Sequence, residues 1–420
     1  MTISTNTNSF FKIQSLFAKY WPCLLILLAF FGFISKALYN YPTGLMAILG
    51  LYRFLISPKT VWLDPIQRYF ILLFLCVWLP MLASFPDAYN HLHTAETIFP
   101  YIRLLFCGLF IIQELSRNEN RMKFVILGIV VILAFWSLDA TAQFFLGSDL
   151  FGYPYNSAQG ITGMFYPRNT ISHICSILSP FYFLYIYQNQ EKRFWLWLTI
   201  VPLFFVVFIS GRRAAWIMLA LNSIGFFIYL YLFSIDKKRL LRQTAFIVTC
   251  ISLVIIVTIL FHKPTNQRFK VTLGLFSNNY ETVDKATARR LPIWDTALNV
   301  FKSNPINGVG PRGFRHAYHD YSSPDNYWVT QTHPHLLILE ILAETGLIGF
   351  AGYLLLLYLL IKQFYSVNKK TLVLPFFIPV LVALFPFNSH MAFYGSIWSS
   401  MIWLLLSLYF SQTSLAIKNS

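Results

Sequence analysis

Charge is scarce in this sequence. Asp, Glu, Lys and Arg together make up 11% of its 420 residues, where a soluble domain carries about 25%. Acidic residues are scarcer still, at 16 against 32 Lys and Arg. That shortage excludes an ordinary soluble fold, which could not cover its surface with so little charge. There are five cysteines, Cys23, Cys76, Cys107, Cys175 and Cys250, all in or beside apolar runs. The one long polar loop has none, so it carries no disulfide and no cysteine-based zinc site. No HExxH motif is present, no DxD-like acidic pair stands in the predicted outer loops, and no Walker lysine follows Gly308, Gly310 and Gly313. Those gaps leave no motif for a zinc hydrolase, a metal-bound sugar nucleotide or a nucleoside triphosphate. The first apolar run, residues 21–34, lacks a small-x-small cleavage site, and another run follows at once. It reads as a retained helix rather than a signal peptide.

What the chain does have is apolar length. Hydrophobic residues reach 57% and the mean hydropathy is +0.58. Runs of about 18 apolar residues, enough to cross ~30 Å of hydrocarbon, recur from end to end. The sequence predicts an all-α polytopic membrane protein of about 12 transmembrane helices, at roughly 20–36, 41–57, 68–85, 96–114, 124–146, 169–188, 194–210, 213–233, 244–262, 335–361, 372–390 and 393–412. One large periplasmic loop containing short helices, residues 263–334, divides helices 1–9 (1–262) from helices 10–12 (335–420). With the N-terminus inside, every predicted inner connection is basic: Lys59 and Arg68; Arg117, Arg121 and Lys123; Lys192 and Arg193; Lys237, Lys238, Arg239 and Arg242; Lys362, Lys369 and Lys370; and Lys418. This is the excess that cytoplasmic loops collect, and it puts both termini in the cytoplasm. The formal charge of +16 could point to nucleic acid. The basic residues are spread between apolar runs rather than gathered on one domain, so topology accounts for them and no nucleic-acid partner is expected.

The outer cations are the ones topology leaves over. Lys36, Arg103, Arg168, Arg212 and Arg213 fall there. Arg103 lies inside the fourth predicted span, where it either serves a functional site or snorkels to the interface. Arg212 and Arg213 stand in ISGRRAAW, with almost no loop between two apolar runs. They sit at a helix start, where backbone amides and dipole favour an anion. A phosphate seat and a headgroup-anchored tight turn are the two readings. The Gly-, Tyr- and Asn-rich loop ahead of Arg168 suits ordered contacts with sugars.

The large loop repeats the arginine arrangement. Trp294, Ala297, Leu298 and Phe301 follow i, i+3, i+4, i+7 and predict one apolar helix face, with Pro292 in the first turn. Arg289 and Arg290 lie just ahead of it. NPINGVGPRGF then turns the backbone. Four histidines follow: His316, His319, His333 and His335. HxH is poor metal spacing on a helix, whereas a histidine at an outer helix start can act as a general base beside an anionic substrate. No metal and no cofactor are called for. Arginines and a histidine on a face without ATP suit a pre-activated donor that arrives by membrane. A polyprenyl-pyrophosphate-linked glycan has phosphates for the arginines and a lipid for a groove between helices.

Four features together resemble the O-antigen ligase/polymerase superfamily, of the lipid A-core:surface polymer ligase type. They are SGRRAAW, which places Arg213 on the family arginine; RLPIW, which marks Arg290; the P-x-x-G-x-G turn at 305–310; and His335 followed by Gly346 and Gly349. The family has Asn, Ser or Gln after that histidine, where this chain has Leu336. The resemblance implies an inverting, metal-independent glycosyltransferase in the bacterial inner membrane. It would join O-antigen from undecaprenyl pyrophosphate to lipid A-core. His335 would be base or positioner, with His333 its rival. Arg213 and Arg290 would bind pyrophosphate, helped by Arg212 and Arg289 and supported by Arg103 or Arg168. Within the same resemblance an O-antigen polymerase or a protein O-oligosaccharyltransferase would use the same donor. A transporter would need internal repeats and midplane charges, and the sequence has no repeat.

Overall fold

The computed structural model describes residues 6–156, 160–189, 194–234, 262–389 and 391–418, with scattered positions between 236 and 260. Most of the predicted ninth span, 244–262, and the basic residues Lys192, Arg193 and Arg239 therefore lie outside the described residues. Among those described the chain is helical without strands, apart from isolated bridges between Ser148 and Pro154 and between Asn156 and Gly160. Helices α1 (Asn6–Phe31), α2 (Asn40–Ile56), α3 (Pro58–Leu63), α4 (Pro65–Ala83), α5 (His91–Leu115) and α6 (Glu119–Leu146) form the first group. Then come α7 (Ile171–Asn189), α8 (Val201–Ile209) and α9 (Arg213–Phe233). The polar loop holds α10 (Lys263–Leu273), α11 (Tyr280–Ala286), α12 (Leu291–Ser303) and α13 (Phe314–Tyr321). The chain ends with α14 (Leu337–Ser366), α15 (Lys370–Ala383) and α16 (Ser396–Lys418).

By length and composition, six described helices can cross a membrane: α4, α5, α6, α9, α14 and α16. Shorter apolar helices cover Ala18–Ile34, Leu196–Ile209 and Lys370–Ala383. A helix that is apolar on all sides belongs inside a bundle. α16 is the case in point: Trp398, Met401, Leu405, Leu408 and Tyr409 are all buried, and Trp403 Nε1 donates to Tyr101 OH of α5 at 2.9 Å. Other helices leave apolar stripes outside, such as Ile217, Ile224, Ile228 and Tyr231 on α9 and Leu354, Leu355, Tyr358 and Ile361 on α14. Lipid is the medium that covers such stripes at no cost.

The two ends of the bundle differ in chemistry. At one, the buried Glu114 carboxylate pairs with Arg53 at 2.6 Å, with Arg117 at 3.3 Å and with Arg121, while Lys418 Nζ donates to Ser116 O at 3.0 Å. Arg117, Arg121 and Lys418 belong to segments the sequence assigns to the inner side, and Arg53 lies in the last turn of α2, at the end of the predicted second span. At the other end stands the polar loop. Its own small core of Ile293, Ala297, Val300, Val309, Phe314, Ala317 and Tyr318 is closed by Ala343 of α14. It is also tied to the 86–94 connection, through Tyr89 N to Val309 O at 2.9 Å and an Asn307–Asp87 hydrogen bond.

The break in α14 locks that docking. Gly346 has φ +60 and ψ −156, inside an element whose remaining backbone is helical. That combination is essentially restricted to glycine. The freed amides of Leu347 and Ile348 donate to Pro305 O at 2.8 Å and Ile306 O at 3.2 Å, and Val309 N returns a bond to Ala343 O at 3.0 Å. The P-x-x-G-x-G turn and the G-x-x-G of the helix are thus two halves of one joint.

Candidate anion-binding site

The α8–α9 hairpin turns through Ser210, Gly211 and Arg212. Gly211 has φ +63, and a Cβ there would collide with the Arg268 side chain. Only glycine lets Arg268 of α10 lie across the turn, where its Nη1 donates to Ser210 O at 2.8 Å. Arg212 is the N-cap of α9, and no side chain caps that helix. Arg213, the first helical residue, donates through Nη1 to the carbonyl of Ala286 and, at 3.4 Å, to Thr272 Oγ1. Ala286 ends α11, so its carbonyl is one that helix geometry leaves open.

The second half of the site follows at once. Ala288 and Arg289 both have positive φ, +63 and +59. Two consecutive left-handed residues other than glycine persist only where the surroundings over-determine them. Buried Asp284 does this. Its carbonyl accepts from Arg289 N at 2.7 Å, its Oδ1 from Leu291 N at 3.1 Å and its Oδ2 from Tyr327 OH at 2.5 Å. Trp328 Nε1 adds a bond to Arg289 O at 2.8 Å. The turn sends the two neighbouring arginines apart. Arg289 is exposed, with its guanidinium 5.7 Å over the Tyr327 ring. Arg290 is turned inward as the N-cap residue of α12, with Pro292 in the first turn as the sequence predicts.

The buried face of α12 departs from expectation. Ile293, Thr296, Ala297 and Val300 are the covered residues, while Leu298 is exposed and Trp294 and Phe301 are half-buried. The i, i+3, i+4, i+7 spacing holds one position earlier than predicted. The reason is that Trp294 serves the cavity wall instead of the loop core, and Thr296 is tolerated inside because its hydroxyl donates to Pro292 O at 2.9 Å.

These elements enclose a cavity of about 580 Å³. Arg212, Arg213, Arg268 and Arg290 contribute four guanidiniums, and among the described residues none of the lining is acidic. Apolar side chains, Ile217, Leu275, Leu336 and Phe387, also line it. Crowded cations in a half-buried space oppose one another. Burial, then Arg213 and Arg212, pushes Arg290 down to about 10. Burial and Arg268 likewise lower Arg212. A multivalent anion relieves that repulsion, and the fork geometry of guanidinium suits paired phosphate oxygens. The volume is that of a small-ligand site, with guanidiniums to meet a head group and apolar side chains to meet a chain.

The mouth of α14 borders the same space. His335 has φ +55, and its ring centroid lies 3.9 Å from that of His333, whose Nδ1 is 2.9 Å from Thr332 Oγ1. Leu336, the N-cap residue, lines the cavity and offers no side-chain cap. The 386–388 turn caps the helix instead, with Leu337 N donating to Asn388 O at 3.0 Å and Ile338 N to Pro386 O at 3.1 Å. An apolar residue after His335 is therefore accommodated by backbone carbonyls.

The structure gathers Arg212, Arg213 and Arg290 around one cavity and sets His335 next to it through Leu336. Three other candidates stand apart from the cavity. Arg289 faces outward. Arg168 Nη2 donates to Ile34 O at 2.7 Å, tying its loop to the chain beyond α1. Arg103 lines a separate cavity and donates to Asn40 Oδ1 at 2.8 Å. Among the described residues no three His, Cys, Asp or Glu side chains gather to hold a metal. Three contributors escaped the sequence. Arg268 sits in KPTNQRFK, where nothing distinguishes it from its basic neighbours. Asp284 acts only through the turn it holds. His173, buried at the cavity wall, did carry a signal, since an ionisable residue within an apolar run marks function by default.

Residues 198–354 match the family model described as O-Antigen ligase, a stretch that contains all four arginines and His335. A Rickettsia conorii protein named "Putative polysaccharide ligase" is 25% identical over 317 residues, which cover 73% of this chain and 70% of that protein. A Rickettsia felis protein of the same description is 26% identical over 291 residues, 67% of this chain and 66% of its own length. The likeness to the O-antigen ligase superfamily read from SGRRAAW, RLPIW and His335 is thus met by the family comparison, over the segment that builds the cavity.

Proposed function

We propose that this chain is a glycosyltransferase of the bacterial inner membrane. It moves O-antigen polysaccharide from undecaprenyl pyrophosphate to a hydroxyl of lipid A-core on the periplasmic face. The observation that carries the reading is the cavity lined by four guanidiniums and apolar side chains, with no acidic residue in its lining among the described residues. A lipid-linked pyrophosphate matches it in charge, shape and greasiness. The orientation follows from the basic end around Glu114, which takes the cytoplasmic side with both termini, in a bundle of twelve spans.

Arg213, Arg290 and Arg212 hold the pyrophosphate, with Arg268 as a fourth donor from α10. His335 takes the proton from the acceptor hydroxyl or orients it. The oxygen attacks the anomeric carbon from the side opposite the pyrophosphate, the carbon–oxygen bond to phosphate breaks, and its electron pair leaves on the pyrophosphate. The configuration at carbon inverts. The arginines stabilise the charge that grows on the leaving group, so no metal is needed. The His335 imidazole rests against His333, and catalytic contacts of this kind tighten when substrate is bound.

Envelope lipopolysaccharide from a deletion strain tests the function. Uncapped core together with accumulated lipid-linked polymer is the expected result. Core bearing a single repeat would mean polymerisation instead.

A further inference from the structure

A second cavity, of about 270 Å³, lies on the loop side of the bundle and shares no lining residue with the first. It runs along one face of α5, from His93 and Glu96 through Pro100 to Leu104, a length of about 16 Å at helical rise. α13 and the start of α16 close it. Three more arginines face it: Arg103, Arg312 and Arg315. Arg103 uses one donor on Asn40. Arg312 is held with φ +63, its backbone amide donating to the buried Glu344 carboxylate at 2.6 Å. Arg315 is half-buried, and its Nε has no hydrogen-bond partner, nor has His93 Nε2.

The negative groups nearby are accounted for. Glu96 is 64% exposed and sits 3.7 Å from His93. Glu344 accepts from the Arg312 amide and Glu340 from Tyr394 N at 3.1 Å, and the Arg312 charge lies close enough to act on both carboxylates. Among the described residues, the ion pairs within 4.0 Å involve none of the three arginines. That leaves the half-buried guanidiniums of Arg103 and Arg315, which lie in no ion pair, and with the Arg315 Nε open they are costly unless an anion completes them.

We propose that the cavity lined by Arg103, Arg312 and Arg315 is a second anion site that takes a phosphomonoester group. A dianion matches three forks better than a carboxylate does, and the volume admits a phosphate with about one ring but not a glycan chain. The phosphate comes free or on a lipid head group, and the two sources separate in one experiment. The site stands on its own residues and does not depend on the transfer reading.

The test uses the full chain in nanodiscs, with bound phospholipid counted by native mass spectrometry. Discs contain phosphatidic acid, a monoester, or phosphatidylglycerol, a diester. A parallel titration uses inorganic phosphate and reads the melting temperature. Retention of phosphatidic acid over phosphatidylglycerol assigns the site to a head group, and stabilisation by inorganic phosphate alone assigns it to the free ion. Either should weaken about tenfold or more in Arg315→Gln and in Arg103→Gln, the loss expected for one charge-assisted contact, and recover partly in Arg315→Lys. Arg290→Gln should leave it unchanged. Binding insensitive to both Arg103→Gln and Arg315→Gln, or lost only in Arg290→Gln, overturns the proposal.

Discussion

Gly346→Ala tests the joint that fixes the loop on the bundle. A residue with a side chain at φ +60, ψ −156 costs about 1–3 kcal/mol in backbone strain alone. The added Cβ would also overlap the Ile306 carbonyl, a backbone atom that cannot swing aside. Relieving the overlap moves the 305–310 turn away and breaks the bonds from Leu347 N to Pro305 O and from Ile348 N to Ile306 O. Each such bond contributes about 0.5–1.5 kcal/mol. The sum is about 2–6 kcal/mol of local stability. Gly152→Ala is the control: it also has positive φ, +84, but a Cβ there meets nothing within 4 Å. It should lose only the left-handed cost of about 1–2 kcal/mol. Thermal unfolding of the purified variants, followed by size-exclusion fluorescence, compares them. Gly346→Ala should melt clearly below Gly152→Ala and should lose glycan transfer, because Arg290 rides on the displaced loop. Equal melting of the two variants would refute the idea that turn and helix break form one joint.

Arg213→Lys and Arg290→Lys should each weaken donor binding about tenfold or more in a lipid-pyrophosphate titration, since a point charge replaces a bidentate fork; wild-type affinity in both would remove them from the phosphate seat. Arg289→Ala should bind donor like the wild type, because that side chain faces outward over Tyr327. Arg268→Ala should weaken donor binding, as the fourth guanidinium of the wall and the cross-brace on Ser210 are lost together; an unchanged titration would reduce Arg268 to a bystander. Chelation with EDTA should leave transfer intact, and a loss restored by added divalent metal would contradict the metal-free mechanism.

Much of this was legible in residue patterns. Long apolar runs specify helices wherever they occur, and an arginine pair at a helix start carries its own electrostatic logic, so Arg212, Arg213 and Arg290 could be picked out without coordinates. What was hidden depends on single backbone angles and on tertiary contact. Arg289 and Arg290 are adjacent and chemically identical, and only the left-handed turn held by Asp284 decides which faces the cavity. The buried face of α12 lies one position ahead of the apolar spacing because an apolar residue can line a ligand cavity as well as a core, which Trp294 does. Arg268 becomes special only when Gly211 leaves it room. The P-x-x-G-x-G turn and the Gly346–Gly349 pair stand far apart in the sequence, and their partnership shows only where the freed amides after Gly346 meet the carbonyls of Pro305 and Ile306.

The most direct test of the central claim is a structure of the protein with a polyprenyl-pyrophosphate donor bound. The account predicts the diphosphate within hydrogen-bonding distance of Arg213 and Arg290, its lipid along Ile217 and Leu275, and the His335 ring turned off His333 toward the anomeric carbon. A diphosphate seated away from those arginines, or against Arg103, Arg312 and Arg315 instead, would contradict it.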